Sequence, residues 1–95
     1  MDELLALIRT QRADELKVHV GTPPVMVLKG EPQSLDGPVI TAEDADHLLR
    51  SIADTRQMRE MWERGEMEFL YNFRNLSFFL VRARVENEFV AFDVR

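Results

Sequence analysis

The chain has 95 residues, with 12 Lys or Arg against 17 Asp or Glu, and its formal net charge is −5. This length accommodates one domain, residues 1–95, and the acidic balance argues against a polyanion such as nucleic acid as the partner. Because the sequence has no cysteine, disulfides, thiolate metal sites and cysteine nucleophiles are excluded.

The chain opens with a predicted amphipathic helix. In "DELLALI", the residues Leu4, Leu7 and Ile8 share one helical face. The acidic start lacks the cationic residues and the long apolar core of a signal peptide, and no apolar run is long enough to span a bilayer. These features predict a cytoplasmic protein that does not insert into membranes.

A β-hairpin is predicted next. "ELKVHV" alternates between apolar and polar residues, which is typical of a half-buried strand. Gly21 to Pro24 is a turn because Pro23 and Pro24 fix φ and lack a backbone donor. "VMVLKG" is the second strand, ended by Gly30, and "EPQSLDGPVI" is a connection that holds at most a short strand.

Two amphipathic helices follow the hairpin. Thr41 with Asp44, and Asp54 with Gln57, have the spacing of N-terminal capping boxes. Gly65 stands where a helix ends in a left-handed residue. The apolar positions expected to face the core are Ala45, Leu48, Leu49 and Ile52 in the first of these helices and Met58, Met61 and Trp62 in the second.

The last third of the chain predicts a three-stranded meander. Apolar and polar residues alternate from Phe69 to Phe73, from Phe79 to Val85 and from Val90 to Val94, with turns at "RNLS" and at "EN" (residues 86–87). The complete order is α-β-β-(β)-α-α-β-β-β. It predicts an α+β fold, with an antiparallel sheet covered by helices on one face and a PAS-like overall shape.

The sequence holds no recognisable catalytic or cofactor motif. G-x-x-x-x-G-K-[ST], G-x-S-x-G and H-E-x-x-H are all absent. Glu43 and His47 would share a helical face and could supply two metal ligands, but no third ligand is evident, so a solvated helix face is the preferred interpretation. We therefore expect neither a cofactor nor a metal, and a protein that is not an enzyme.

Two glutamates in the meander could have formed a catalytic carboxylate pair. If Leu70 pairs with Leu80 across the hairpin, Glu68 faces Arg82, and Glu66 likewise faces Arg84. Cross-strand ion pairs of this kind are ordinary, and we favour them over acid–base catalysis.

Strand parity predicts an apolar strip on the sheet face that the helices leave open. The strip is flanked by two arginines and could bind a protein partner or a second copy, or it could be covered by the first helix or a terminus. Its predicted members are Leu70, Phe78, Leu80, Phe89 and Ala91, with Arg82 and Arg84 beside them.

Three segments, in order, carry a family resemblance that spans nearly the whole chain. They are "ADELKVHVGTPPVMVLKGE", "ITAEDADHLLRSI" and "TRQMREMWERGEMEFLYNF". They are similar to the N-terminal, PAS-like domain of the PilT family of type IV pilus retraction ATPases and of type II secretion ATPases. In that family the domain precedes a RecA-like motor domain with a Walker A loop, and no residue of such a motor is present here.

The resemblance implies departures as well as matches. In the family, arginines of one strand approach the nucleotide phosphates, whereas Phe78 and Leu80 occupy those positions here, and Lys17 replaces a histidine. The resemblance therefore implies a non-catalytic protein–protein interaction domain, either a stand-alone protein or the first domain of a divergent motor. The alternatives are a regulatory domain whose Arg82 and Arg84 approach ATP on a separate motor, and a PAS-like small-molecule sensor.

Overall fold

The computed structural model describes all 95 residues, as three helices and six strands. In chain order the elements are α1 (Asp2–Gln11), β1 (Glu15–Val18), β2 (Val25–Leu28), β3 (Glu31–Ser34), α2 (Ala42–Arg50), α3 (Thr55–Arg64), β4 (Glu66–Phe73), β5 (Ser77–Glu86) and β6 (Phe89–Val94). This is the predicted α+β architecture, and the short strand expected in "EPQSLDGPVI" is β3.

The six strands form one antiparallel sheet with the order β3-β2-β1-β6-β5-β4. The N-terminal strands β1 to β3 and the C-terminal meander β4 to β6 meet in the middle, where Leu16 of β1 pairs with Val94 of β6. β3 and β4 are therefore the two edge strands. In the β4–β5 hairpin, Leu70 pairs with Leu80, which confirms the register predicted from the sequence.

A hydrophobic core fills the space between the three helices and one face of the sheet. Seventeen buried apolar residues form a single cluster, to which α1 contributes Leu5 and Ile8 and α2 contributes Ala45 and Leu49. No polar or charged residue is buried. All the helices therefore cover one face, which we call the helix face, and leave the other, the outer face, open.

Local hydrogen bonds explain where α2 and α3 begin and end. Thr41 and Asp54 cap their helices through complete capping boxes, with Asp44 and Gln57 as the reciprocal partners. Gly65 ends α3 in the left-handed region at φ 86°, where glycine avoids the Cβ penalty of other residues. The three boundary predictions are confirmed.

Three details of the sequence interpretation are corrected. Trp62 is 47% exposed rather than packed inward. In α1 the residue buried together with Ile8 is Leu5, whereas the predicted stripe had Leu4 and Leu7. The β5–β6 turn is centred one residue later than predicted because Asn87 and Glu88 carry the positive φ values that a two-residue hairpin turn requires. None of the helices has the length and apolar character needed to cross a membrane.

Candidate protein-contact surface

The outer face of the sheet carries three of the predicted site residues side by side. Leu70 on β4 lies opposite Leu80 on β5, and Phe78 lies two residues before Leu80 on the same strand and face. Leu70 is 67% exposed and Phe78 70% exposed, while Leu80 is half-buried. We call these three residues the apolar corner. They sit next to the free edge of the sheet.

Phe89 does not join the apolar corner. It pairs with Glu86, which lies six residues beyond Leu80 along β5, a distance of about 20 Å at ~3.3 Å per residue. Ala91 is buried and lies opposite Arg84. The apolar residues that strand parity placed on one face are thus divided between two ends of that face.

A charged belt crosses the outer face between those two ends. It consists of His19, Glu68, Arg82, Arg84, Glu86 and Asp93. Arg82 and Glu68 form the predicted cross-strand ion pair at 3.1 Å, and both side chains are 56% exposed. An exposed pair of this kind contributes at most about 1 kcal/mol, so the pair orders the surface more than it stabilises the fold.

Arg84 is bound differently from the expectation. Although it stands opposite Glu66 in register, its guanidinium donates to Asp93 at 3.1 Å and to Glu86. Burial opposes the charged form, but the hydrogen bonds and charges of Glu86 and Asp93 outweigh it and raise the pKa of Arg84 above its ordinary value. His19 lies 3.3 Å from the same Asp93 carboxylate. Strand alternation places Asp93 on the same face as Arg84, but it does not decide which carboxylate Arg84 binds.

The two arginines are therefore already engaged with carboxylates of their own chain. Arg82 has one acidic partner and Arg84 has two. A phosphate group would compete with Glu68 for Arg82 and with Glu86 and Asp93 for Arg84, because carboxylates and phosphates accept from the same guanidinium donors.

The structure shows no arrangement suited to a metal. There is no group of three or more His, Asp or Glu side chains placed to hold an ion. Glu43 and His47 lie exposed on α2, and the neighbouring Asp44 closes the helix cap on Thr41. A concave region of about 710 Å³ runs along the α3–β4 side of the molecule, but charged and polar residues such as Glu60, Arg64 and Glu66 make up most of its lining.

β4 was not predicted to be an edge strand, and this is the main feature that sequence reasoning missed. Its eight residues contain no proline, whereas β3, on the opposite edge, has four residues and includes Pro32. An edge strand exposes unpaired backbone groups that can pair with another chain. Only the order of strands in the folded sheet identifies β4 as such a strand.

Comparison with known structures identifies the fold. The pilus retraction motor PilT with bound ADP is similar over 100% of this chain and 28% of its own, with a TM-score of 0.90 and 23% sequence identity. The ATPase DotB of Legionella pneumophila is similar over 99% of this chain and 26% of its own, with a TM-score of 0.77 and 18% identity. The DotB ATPase of Yersinia pseudotuberculosis gives a TM-score of 0.70 over 98% of this chain at 8% identity.

The chain thus spans only about a quarter of the length of these ATPases. No protein-family model and no curated protein matches the sequence. The resemblance to the PilT and secretion ATPases that the sequence motifs predicted is confirmed at the level of the fold.

Proposed function

We propose that this chain is a non-catalytic protein-contact domain of the pilus and secretion ATPase type, and that it binds a second copy of itself through the apolar corner. The observation that carries the proposal is the corner itself. Leu70 and Phe78 are adjacent, 67% and 70% exposed, and lie on a sheet face that no helix covers. Adjacent exposed apolar residues bordered by charges are typical of a protein-binding site.

The size of the corner sets the strength of the expected association. Full burial of a Leu or Phe side chain stabilises by about 1.5–3 kcal/mol relative to full exposure. Because about two-thirds of each of these two side chains is still exposed in the monomer, burying the rest in a dimer would contribute about 1–2 kcal/mol per residue. In a symmetric dimer that buried all four side chains they would contribute about 4–8 kcal/mol, against an association cost of about 4–15 kcal/mol. The corner alone therefore supports at most a weak dimer, and a stable one needs further contacts.

The alternative functions receive less support. ATP sensing by Arg82 and Arg84 would put phosphate in competition with the carboxylates that already pair with both guanidinium groups. A small-molecule sensor would need a ligand space between helices and sheet, where the apolar cluster is packed instead. A protein-contact role needs no such rearrangement, because Leu70 and Phe78 are already exposed on the outer face.

Sedimentation velocity over a wide concentration range tests the proposal. We expect the wild-type chain to associate with rising concentration and Leu70→Asp to stay monomeric, because a carboxylate in the contact would lose its hydration. Phe89→Asp is the matched control, since Phe89 is also exposed on the outer face but lies about 20 Å from the corner. It should associate like the wild type. A wild-type chain that remains monomeric throughout, or equal loss of association in both variants, would contradict the proposal.

A further inference from the structure

The backbone of β4 defines how the second copy would be held. The amide of Val85 donates to the carbonyl of Gly65, while Leu80 and Arg95 exchange both backbone hydrogen bonds at the other side of β5. Odd-numbered residues of β5 thus bond to β4 and even-numbered ones to β6. In an antiparallel pair the bonded positions alternate, so the N–H and C=O groups of residues 66, 68, 70 and 72 point to the open edge.

The other edge of the sheet lacks this capacity. The amide of Leu35 donates to the carbonyl of Pro24, so the odd-numbered residues of β3 bond to β2 and residues 32 and 34 face outward. Pro32 has no N–H, which leaves Ser34 as the outward donor of β3. The β3 edge is thus short and interrupted by a proline, whereas the β4 edge presents the free N–H and C=O groups of four alternate residues.

We propose that two copies join by antiparallel pairing of β4 with β4, with the two-fold axis at Leu70, to form one continuous twelve-stranded sheet. This rests on the proposed function, because it also takes the partner to be a second copy and keeps Leu70 of the apolar corner at the contact, while Phe78 on β5 stays outside the paired strands. Only even-numbered residues of β4 present backbone groups to the open edge, so in every possible register an even-numbered residue of one copy pairs with an even-numbered residue of the other. The outer faces of both copies therefore always lie on the same side of the joined sheet.

Side-chain chemistry selects among those registers. Centring the pair on Leu70 places Leu70 against its own counterpart and Glu68 against Asn72 of the second copy. Moving the centre towards Glu68 would bring two Glu68 carboxylates together, and an intermediate register would set Glu68 against Leu70. Like charges directly opposite are destabilising, so the register centred on Leu70, which sets Leu70 against Leu70 and Glu68 against a neutral amide, is preferred.

The helix face of β4 fits the same register. Met67, Phe69 and Tyr71 are only half-buried by the helices of their own chain. With the axis at Leu70, Phe69 of one copy lies opposite Tyr71 of the other. Aromatic cross-strand pairs stabilise antiparallel sheets, so the pairing covers apolar surface on both faces of the edge at once.

Hydrogen exchange of the unmodified chain, followed by NMR, tests the pairing directly. We expect the amides of Glu68, Leu70 and Asn72 to gain protection as concentration rises, in step with dimer formation. The amide of Ser34, on the other edge, is the internal control and should exchange at the same rate throughout. A dimer in which the three β4 amides still exchange as fast as in the monomer overturns the pairing and leaves the proposed function standing. A chain that never dimerises overturns both.

Cysteine cross-linking fixes the register, and the chain has no native cysteine to interfere. In Leu70→Cys the two Cα atoms would be about 5.5 Å apart, within reach of a disulfide. In Phe78→Cys the two residues would be separated by three strand spacings of about 4.8 Å each and by about four residues along the strands, together roughly 20 Å, which is too far for a disulfide. Efficient linkage through position 70 but not 78 is expected. Linkage through 78 but not 70 would show face-to-face packing and overturn the pairing.

Discussion

Phe78 and Phe79 are neighbours in the sequence, and their replacement by alanine, one at a time, should have very different effects. Phe79 is 5% exposed and its ring lies 5.9 Å from that of Phe73 in the core, whereas Phe78 is 70% exposed on the outer face. Removal of a buried Phe side chain costs about 3–5 kcal/mol. Removal of an exposed side chain changes the free energy of unfolding by about 0.5 kcal/mol or less.

The predicted difference is large compared with the total stability of a domain of this size, about 5–15 kcal/mol. At about 4–8 °C per kcal/mol, Phe79→Ala should lower Tm by roughly 12–40 °C and Phe78→Ala by no more than about 4 °C. Thermal unfolding followed by circular dichroism, at concentrations where the chain is monomeric, measures both Tm values. If Phe78→Ala proved as destabilising as Phe79→Ala, Phe78 would be covered within the monomer and the assignment of an open outer face would be refuted.

Three further predictions concern the ends of α2 and α3. Thr41→Ala should lower the free energy of unfolding by about 1 kcal/mol in urea titrations, with Thr41→Ser close to wild type, because the hydroxyl accepts from the Asp44 amide. The backbone N–H of Thr41, and then its side chain, lower the pKa of Asp44 below its ordinary value of 3.8. The stabilisation is therefore complete above that value and lost as pH falls through the lower folded-state pKa, so the difference between wild type and Asp44→Asn should be constant from neutral pH to about pH 5 and shrink in stronger acid. A difference that grew on acidification would contradict this. Gly65→Ala should lower the free energy of unfolding by about 1–2 kcal/mol because φ is 86°. No atom lies within 4 Å of an added Cβ, so the cost is conformational, and Gly65→Asn should cost less because asparagine adopts this region more readily. Equal costs for the two variants would contradict a conformational cause.

Alternation and capping were enough to predict most of the fold. Strand parity assigned the faces of β4 and β5 correctly, and the capping boxes located the starts of α2 and α3. These signals are local, since each depends on residues at most a few positions apart. Trp62 was placed inward because it follows Met61 on an apolar stripe, but an amphipathic pattern does not show how wide a stripe the sheet can cover.

The site was harder to predict from the sequence because it depends on pairing between strands that are distant in the chain. Parity places Phe78 and Phe89 on one face, yet the distance between them is set by the β5–β6 register and by the turn at Asn87–Glu88. Likewise Arg84 turns to Asp93 on β6 rather than to Glu66 on β4. Which of two facing carboxylates an arginine binds is decided by packing that no spacing rule describes.

The order of strands in the sheet also has a consequence for how the chain folds during synthesis. β6, the last of these six strands to leave the ribosome, lies in the middle of the sheet between β1 and β5. Until residues 89–94 emerge, the N-terminal strands and the β4–β5 hairpin have no common strand to join them, and β1 and β5 each have an exposed edge that β6 later closes. The domain must therefore wait for its final strand, and contacts between distant parts of a chain form slowly. During that interval the nascent chain displays the unpaired edges of β1 and β5.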